Sequence, residues 1–287
     1  YFFDGAISDK INLRTWGAER AKDFLLDLGV SGGKFKLKPA LNFDGPEPIA
    51  ALFTAGNIIE DTFEMAYFDT QSRLDPKVTV RWREERLNNG IVDKGLFPQV
   101  REFSVFRKDS QDTRPVIQVD MSGFCTNQRH AMDRAKYECQ MKKYLTHGVK
   151  FKTTPGHAPI EVGSIIKVGV ETTHYGQPTN GCITENGTVT SWPPLEDGSY
   201  PVLLWDGQAQ ISEVTLNISQ GKSDAHKHSV FSLRQQVGKA EGYKVQSIGF
   251  DEDGNLDIEA IYWPLDCDDW SMLVVTWPDD NFVFEGL

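Results

Sequence analysis

The spacing of apolar positions changes period several times along the chain, and each change predicts an element. Ala21, Phe24, Leu25 and Leu28 fall at the 0, 3, 4, 7 spacing of one helical stripe, which predicts a helix over 15–28 stopped by Gly29. Beyond Gly32-Gly33, the run Lys34-Phe35-Lys36-Leu37-Lys38 alternates basic and apolar residues and reads as a half-exposed strand ended by Pro39. The stretch from Leu52 to Phe63 is mixed and reads as a short turn entering a strand. From Lys77 the period is two. Val78, Val80 and Trp82 fall on one face and Thr79, Arg81 and Arg83 on the other, a strand with a basic outer face. Its predicted partner is Arg101-Glu102-Phe103-Ser104-Val105-Phe106, across a connection carrying the turn signal Asn88-Asn89-Gly90. A third strand-like run covers 115–119. Asp120-Met121-Ser122-Gly123-Phe124-Cys125 then leads into a long polar helix over 127–146, with Ala131, Met132, Ala135 and Cys139 inward and Gly148 as its stop.

From Val149 every signal is β. Val149 to Thr153 alternates, Ile165 to Val170 reads as a half-buried strand, and turn pairs recur at Pro155-Gly156, Asn180-Gly181, Asn186-Gly187, Asp197-Gly198, Asp206-Gly207 and Asp253-Gly254. The last joins Tyr243–Ile248 to Leu256–Tyr262 as a hairpin. The predicted class is α+β and mostly antiparallel, a barrel or sandwich with one N-terminal helix and one long helix. The predicted division is an α+β part over 1–148 and an antiparallel β part over 149–287, without repeats or low-complexity tracts.

Charge sharpens this picture. The chain has 287 residues and a net charge of -11, yet the stretch from Glu241 to Leu287 holds 12 acidic residues and only Lys244 as a base. The first 240 residues are neutral overall, with 29 charges of each sign. No broad basic face for duplex DNA is announced, and no specific nucleic-acid binding is expected. The mean hydropathy is -0.40, and without an apolar run of roughly 20 residues no helical membrane span is expected. Cys125, Cys139, Cys182 and Cys267 show neither CxxC spacing nor clustering and read as free thiols. The opening at Tyr1, in place of Met, points to residues preceding it or to trimming.

Each candidate chemical site competes with a blander reading. His226-Lys227-His228 puts two imidazoles on one side of an extended segment, but a third metal ligand is missing and a solvated loop is favoured. Thr173-His174-Tyr175 offers a general base with no nucleophile motif beside it. No nucleophile elbow, Walker loop, dinucleotide fingerprint or His-Glu-x-x-His occurs. Asp266, Asp268 and Asp269, with Asp251, Glu252 and Asp253, are the best cation lead, but their spacing is not that of an EF-hand. Trp192, Trp205, Trp263, Trp270 and Trp277 form either a sugar-stacking platform or, by default, core. No catalytic residue, metal or cofactor is therefore assigned. Arg81, Arg83 and Arg86 on the strand, with Arg129, Arg134, Lys136, Lys142 and Lys143 on the long helix, are candidate interface residues for an acidic neighbouring subunit.

Two stretches together resemble the phage tail-tip hub family, the host-specificity or tip attachment proteins of lambda-like siphophages and their relatives. The first runs from Val78-Thr79-Val80-Arg81-Trp82-Arg83 through the Asp-x-Ser-Gly turn at Asp120 to Gly123, the helix with Ala131 and Ala135, and Val149-Lys150-Phe151-Lys152-Thr153-Thr154. It ends at Ile160–Val168, with Ser164 where the family usually has Asp. The second is Phe231-Ser232-Leu233 followed by the hairpin of Tyr243–Ile248, Asp253-Gly254 and Ile258–Tyr262. The order of these pieces, over about two thirds of the chain, carries the resemblance. It implies a non-enzymatic virion protein, a homotrimeric baseplate hub assembled in the host cytoplasm, which closes the distal end of the tail tube. Implied partners are the distal tail or tube protein, the tape measure, and tip or fibre proteins for host attachment. Asp266, Asp268 and Asp269 would then face the tube lumen. A carbohydrate-binding adhesin domain and a hydrolase of cell-wall glycans or peptides stay open as alternatives.

Overall fold

The computed structural model describes residues 3–5, 7, 10–31, 34–69, 74–84, 87–88, 91–92, 99–109, 114–155, 160–169, 179–206, 211–225, 227–233, 240–274 and 281–286. In chain order these form α1 (Leu13–Ala21), β1 (Leu26–Ser31), β2 (Lys34–Pro39), β3 (Ile49–Thr54), β4 (Glu64–Tyr67), β5 (Lys77–Glu84) and the short pair β6 (Leu87–Asn88) and β7 (Ile91–Val92). Then come β8 (Gln99–Arg107), β9 (Val116–Asp120), α2 (Gln128–Tyr144), β10 (His147–Thr153), β11 (Ile165–Gly169), β12 (Asn180–Ile183) and β13 (Val189–Trp192). The last are β14 (Gly198–Trp205), β15 (Ser212–Ile218), β16 (Val230–Leu233), β17 (Glu241–Phe250), β18 (Leu256–Tyr262) and β19 (Phe282–Glu285). The class is α+β and mostly antiparallel, as the residue pattern implies.

The chain divides into two compact units. One comprises Tyr1–Asp44, Phe68–Thr146 and Ser271–Leu287; the other comprises Gly45–Tyr67 and His147–Trp270. The boundary expected at 148 lies beside one of four crossings between them, at Thr146/His147, and both termini belong to the first unit.

In the first unit the sheet order is β19-β8-β5-β9, with β5 and β9 parallel and the other pairs antiparallel. The inward face of β5, Val78, Val80 and Trp82, is buried together with Phe103, Val105 and Met121. Helix α2 covers this face because Ala131, Ala135 and Cys139, each four residues apart, form a flat stripe that lets it lie close. Asn127 caps it by accepting from the His130 backbone N–H. Leu145, not Gly148, takes the C-cap, and Gly148 belongs to β10.

The predicted helix over 15–28 is corrected. Helix α1 stops at Ala21, a single 3-10 turn follows at Lys22–Phe24, and Leu25 takes the left-handed conformation at φ 54. Leu25 still buries its side chain, but the chain leaves the turn as β1, with Gly29 inside the strand. Strand β1 pairs with β2, Leu28 opposite Leu37, and β2 is more exposed than the alternation implied.

In the second unit a six-stranded sheet runs β3-β11-β17-β18-β10-β4 and a five-stranded sheet β13-β12-β16-β14-β15. Buried Ala51, Leu52, Phe53, Phe151, Ile166 and Tyr243 of the first sheet share a core with Trp205 and Val230 of the second. The packing is sandwich-like, and neither sheet closes into the barrel that was the other expectation. Strand β11 is buried along its whole length, not half-buried, because it sits between β17 and parallel β3. The stretch from Leu52 to Phe63 opens on the end of β3 and then turns, and the turn leads into β4 at Glu64, so a strand stands on both sides of the expected turn. Asn180-Gly181 is likewise no turn. It opens β12, where a Cβ on Gly181 would stand 2.0 Å from the Thr190 carbonyl oxygen. The Asp253-Gly254 turn is where the pattern placed it, with Gly254 at φ 82.

Candidate interaction surfaces

Register builds the outer face of the first unit's sheet. Arg81 lies opposite Glu102 on β8 and opposite Asp120 on β9, and its guanidinium stands 3.9 and 3.8 Å from their carboxylates. Lys77 pairs with Glu285 at 2.6 Å, Thr79 and Ser104 share a hydrogen bond, and Arg83 donates to the Asp4 carbonyl. The outward arginines are there, but the face they share is charge-balanced. Such exposed pairs contribute about 0–1 kcal/mol each. The Asp-x-Ser-Gly motif has a local purpose. Asp120 accepts from the Ser122 hydroxyl and backbone N–H, which, with Arg81, holds its carboxyl below the usual range.

Helix α2 splits the basic candidates. Arg129 is exposed, and Lys142 and Lys143 are half-buried, with Lys143 donating to Asp109. Arg107 binds the same carboxylate, and the two cations hold Asp109 down at about 2. Arg134 and Lys136 correct the expectation, since both are withdrawn from the surface. Arg134, on the border of the buried stripe, reaches Asp23 at 3.5 Å and Glu138 at 2.7 Å. Lys136 is 1% exposed and lies over the Phe284 ring. Arg86 falls outside the described residues.

The acidic segment is also partly committed to the fold. Asp251 accepts from the Asp253 and Asn255 backbone N–H groups and pairs with Lys152, which holds it at about 2. Asp266 accepts from the Asp268 and Trp270 N–H groups, and Asp269 pairs with buried Lys167 at 2.7 Å. Asp266 and Asp268 are exposed, and with Asp269 half-buried the three share one short loop. Lys167, Glu241, Tyr262, Asp266 and Asp269 line one cleft. No group of three or more His, Cys, Asp or Glu among the described residues is placed to hold a metal ion.

One constellation escaped the sequence reading. Tyr67 of β4, His147 of β10, Tyr262 of β18 and Tyr243 of β17 stand in register across four adjacent strands. His147 Nε2 donates to the Tyr243 hydroxyl, which donates to Glu241, both at 2.9 Å, while the His147 ring stacks on Tyr262 at 4.7 Å. Burial first, and then the Glu241 charge, push the Tyr243 phenol above its ordinary range, so it stays protonated and pins the sheet. The only sequence signal was the Asp253-Gly254 turn, which sets Tyr243 against Tyr262. Of the other candidates, His174, Tyr175, His226 and Trp277 lie outside the described residues. His228 sits in a left-handed turn, Trp205 and Trp263 are core, and Trp192 and Trp270 are exposed. Cys125 and Cys139 are buried free thiols, Cys139 pushed up to about 12 by burial, whereas Cys182 is half-buried and Cys267 exposed.

No protein-family model matches the chain, and no curated protein matches it. Among the described residues no helix is long and apolar enough to cross a membrane. Solved structures do match. A chain of the virion of the native gene transfer agent particle superposes at TM-score 0.50 and 9% identity, over 94% of this chain and 42% of that one. A tail protein from Neisseria meningitidis MC58 matches at 0.38 and 9% identity, over 89% of this chain and 56% of that one. The 43 kDa tail protein of prophage MuSo2 from Shewanella oneidensis matches at 0.35 and 11% identity, over 89% and 54%. All three neighbours are virion or tail proteins, this chain spans about half the length of each, and with the gene transfer agent chain it shares a fold.

Proposed function

We propose that the chain is a structural protein of a phage-type tail, acting as the hub that closes the distal end of the tube and joins it to tip or fibre components. The observation that carries this reading is the fold shared with the gene transfer agent virion chain over 94% of the sequence. The order of motifs from Val78 to Tyr262 supports it independently. In this reading the protein is a homotrimer without enzymatic activity, located in the virion. Its neighbours are the distal tail or tube protein, the tape measure and the tip or fibre proteins. Arg81, Arg83, Arg86, Arg129, Lys142 and Lys143 are the basic residues proposed to meet other subunits. Asp266, Asp268 and Asp269 are proposed to face the lumen, where acidic surfaces repel DNA and let it slide. Because Asp266 and Asp269 also hold the loop, Asp268→Asn is the cleaner probe, and slower DNA ejection is the expected result. The assignment itself is tested by removing the gene from a producing strain. Loss of complete tails, restored by the gene in trans, is expected; normal infectious particles without the chain would overturn it.

A further inference from the structure

Both sheets of the second unit contribute to the cleft beside the acidic loop, and its walls and its charges differ in chemistry. Leu203 of β14, Leu233 of β16, Ala240 and Leu265 give it apolar walls. Leu203 is half-buried and lies opposite Glu213 of β15 in register, so an aliphatic surface runs directly up to a carboxylate. Leu265 comes close because Gly242 has no side chain; a Cβ there would stand 2.7 Å from Leu265 Cδ1.

The charged lining residues are Lys167, Glu213, Glu241, Asp266 and Asp269, four acids to one base. The base is already committed, since Lys167 is 9% exposed and pairs with Asp269 at 2.7 Å. Asp266 spends Oδ1 on the Asp268 and Trp270 N–H groups, while its Oδ2 makes no hydrogen bond or ion pair among the described residues. Glu213 and Asp266 are both exposed. A cleft with net negative charge beside aliphatic walls matches a cation on an aliphatic stem, whose methylenes lie along the leucines while its head meets the carboxylates. An anion would be repelled, and a neutral apolar group would strip water from the carboxylates without replacing it.

We propose that this cleft takes a lysine or arginine side chain presented by a partner protein, with the stem on the leucines and the charge among the carboxylates. The site adds a point of recognition to the partner surfaces proposed above and rests on no part of the tail assignment. Asp268 does not line the cleft, so the lumen proposal is tested on a different residue.

The test uses the full chain and Cys267, an exposed thiol that lines the same cleft. Its alkylation by neutral iodoacetamide is followed by mass spectrometry, with half-buried Cys182, outside the cleft, as internal reference. A blocked tripeptide with arginine at its centre is expected to slow alkylation of Cys267 saturably, at millimolar concentration, and to leave Cys182 unchanged. The same peptide with citrulline, which keeps the shape and loses the charge, should not protect. Methylguanidinium, the head without the stem, should protect at least about tenfold less well, because each buried methylene strengthens binding severalfold. Glu213→Gln/Asp266→Asn removes two charges while the asparagine keeps an acceptor for the loop, and should weaken protection about tenfold or more. Glu213→Gln alone, which leaves the loop untouched, should weaken it severalfold. Glu252→Gln/Asp253→Asn, an equal loss of charge outside the cleft, should change nothing. Far-ultraviolet circular dichroism controls for folding. A thiol that does not react, no protection by the arginine peptide, equal protection by citrulline, or protection indifferent to the cleft variants would each overturn the site. Protection by methylguanidinium as strong as by the peptide would make it a small-cation site and overturn the side-chain occupant. Normal particles in the gene-removal experiment alongside saturable protection would remove the tail assignment and leave the cleft standing.

Discussion

Replacing Arg134 by Met separates a structural charge from a surface one. The Arg134 side chain is 8% exposed and binds Asp23, itself 10% exposed, and Glu138. Methionine keeps the aliphatic stem and removes the charge. Stripping one partner from a buried pair costs about 3–5 kcal/mol. Here Asp23 keeps Arg20 at 3.2 Å and Glu138 is partly solvated, so the expected loss is about 2–3 kcal/mol. Arg129→Met is the control. Arg129 is 71% exposed and 4.0 Å from Asp133, and its loss should stay within about 0.5 kcal/mol. Urea unfolding reads the difference, a midpoint about 1 M lower for the first variant at a typical slope of about 2–3 kcal/mol/M. Because two compact units need not unfold together, hydrogen exchange at the α2 amides assigns the loss to the first unit. Equal stabilities for the two variants would refute the buried pairing and return Arg134 to the surface, where it could meet a partner.

Three further outcomes follow from the same geometry. Tyr243→Phe leaves His147 Nε2 and Glu241 without the hydroxyl between them and should cost about 1–2 kcal/mol, with faster hydrogen exchange in β17 and β18; unchanged exchange would deny the pin. Gly181→Ala drives a methyl group into the Thr190 carbonyl and should cost about 3 kcal/mol or prevent folding, as urea midpoints would show; a neutral result would refute the β12–β13 pairing. His130 is buried, bonded to the Asp23 carbonyl, and burial lowers its pKa. The unfolded chain therefore takes up this proton first as pH falls, so the contribution is complete above about pH 6.5 and shrinks below it, toward the lower folded value. His130→Gln should flatten the slope of stability against pH in that window, and a slope identical to wild type would contradict the assignment.

What the sequence revealed was what repeats locally. Val78, Val80 and Trp82 announced both a strand and its buried face, and Asp253-Gly254 announced a hairpin, because a period of two and a turn dipeptide are written in consecutive residues. The stripe of Ala21, Phe24, Leu25 and Leu28 misled because burial does not require helix. Leu25 reaches the interior from a left-handed turn, after which the chain is strand. Gly181 misled for the opposite reason, since an Asn-Gly pair also suits a strand where a neighbouring backbone comes too close for a side chain. The charges on α2 were read as outward-facing candidates for an interface, because a charged helix position carries no local sign of burial. Only tertiary packing brings Asp23 to Arg134, from more than 100 residues away. The row of Tyr67, His147, Tyr262 and Tyr243 spans four strands, so no local spacing encodes it.

The function proposed for this chain is that of a structural part of a tail, at its distal end. Gold-labelled antibody against the chain, imaged on intact purified particles by electron microscopy, tests that claim most directly. Label confined to the distal tip of the tail is the expected result; label on the capsid, or particles that carry none of the chain, would contradict the proposed function.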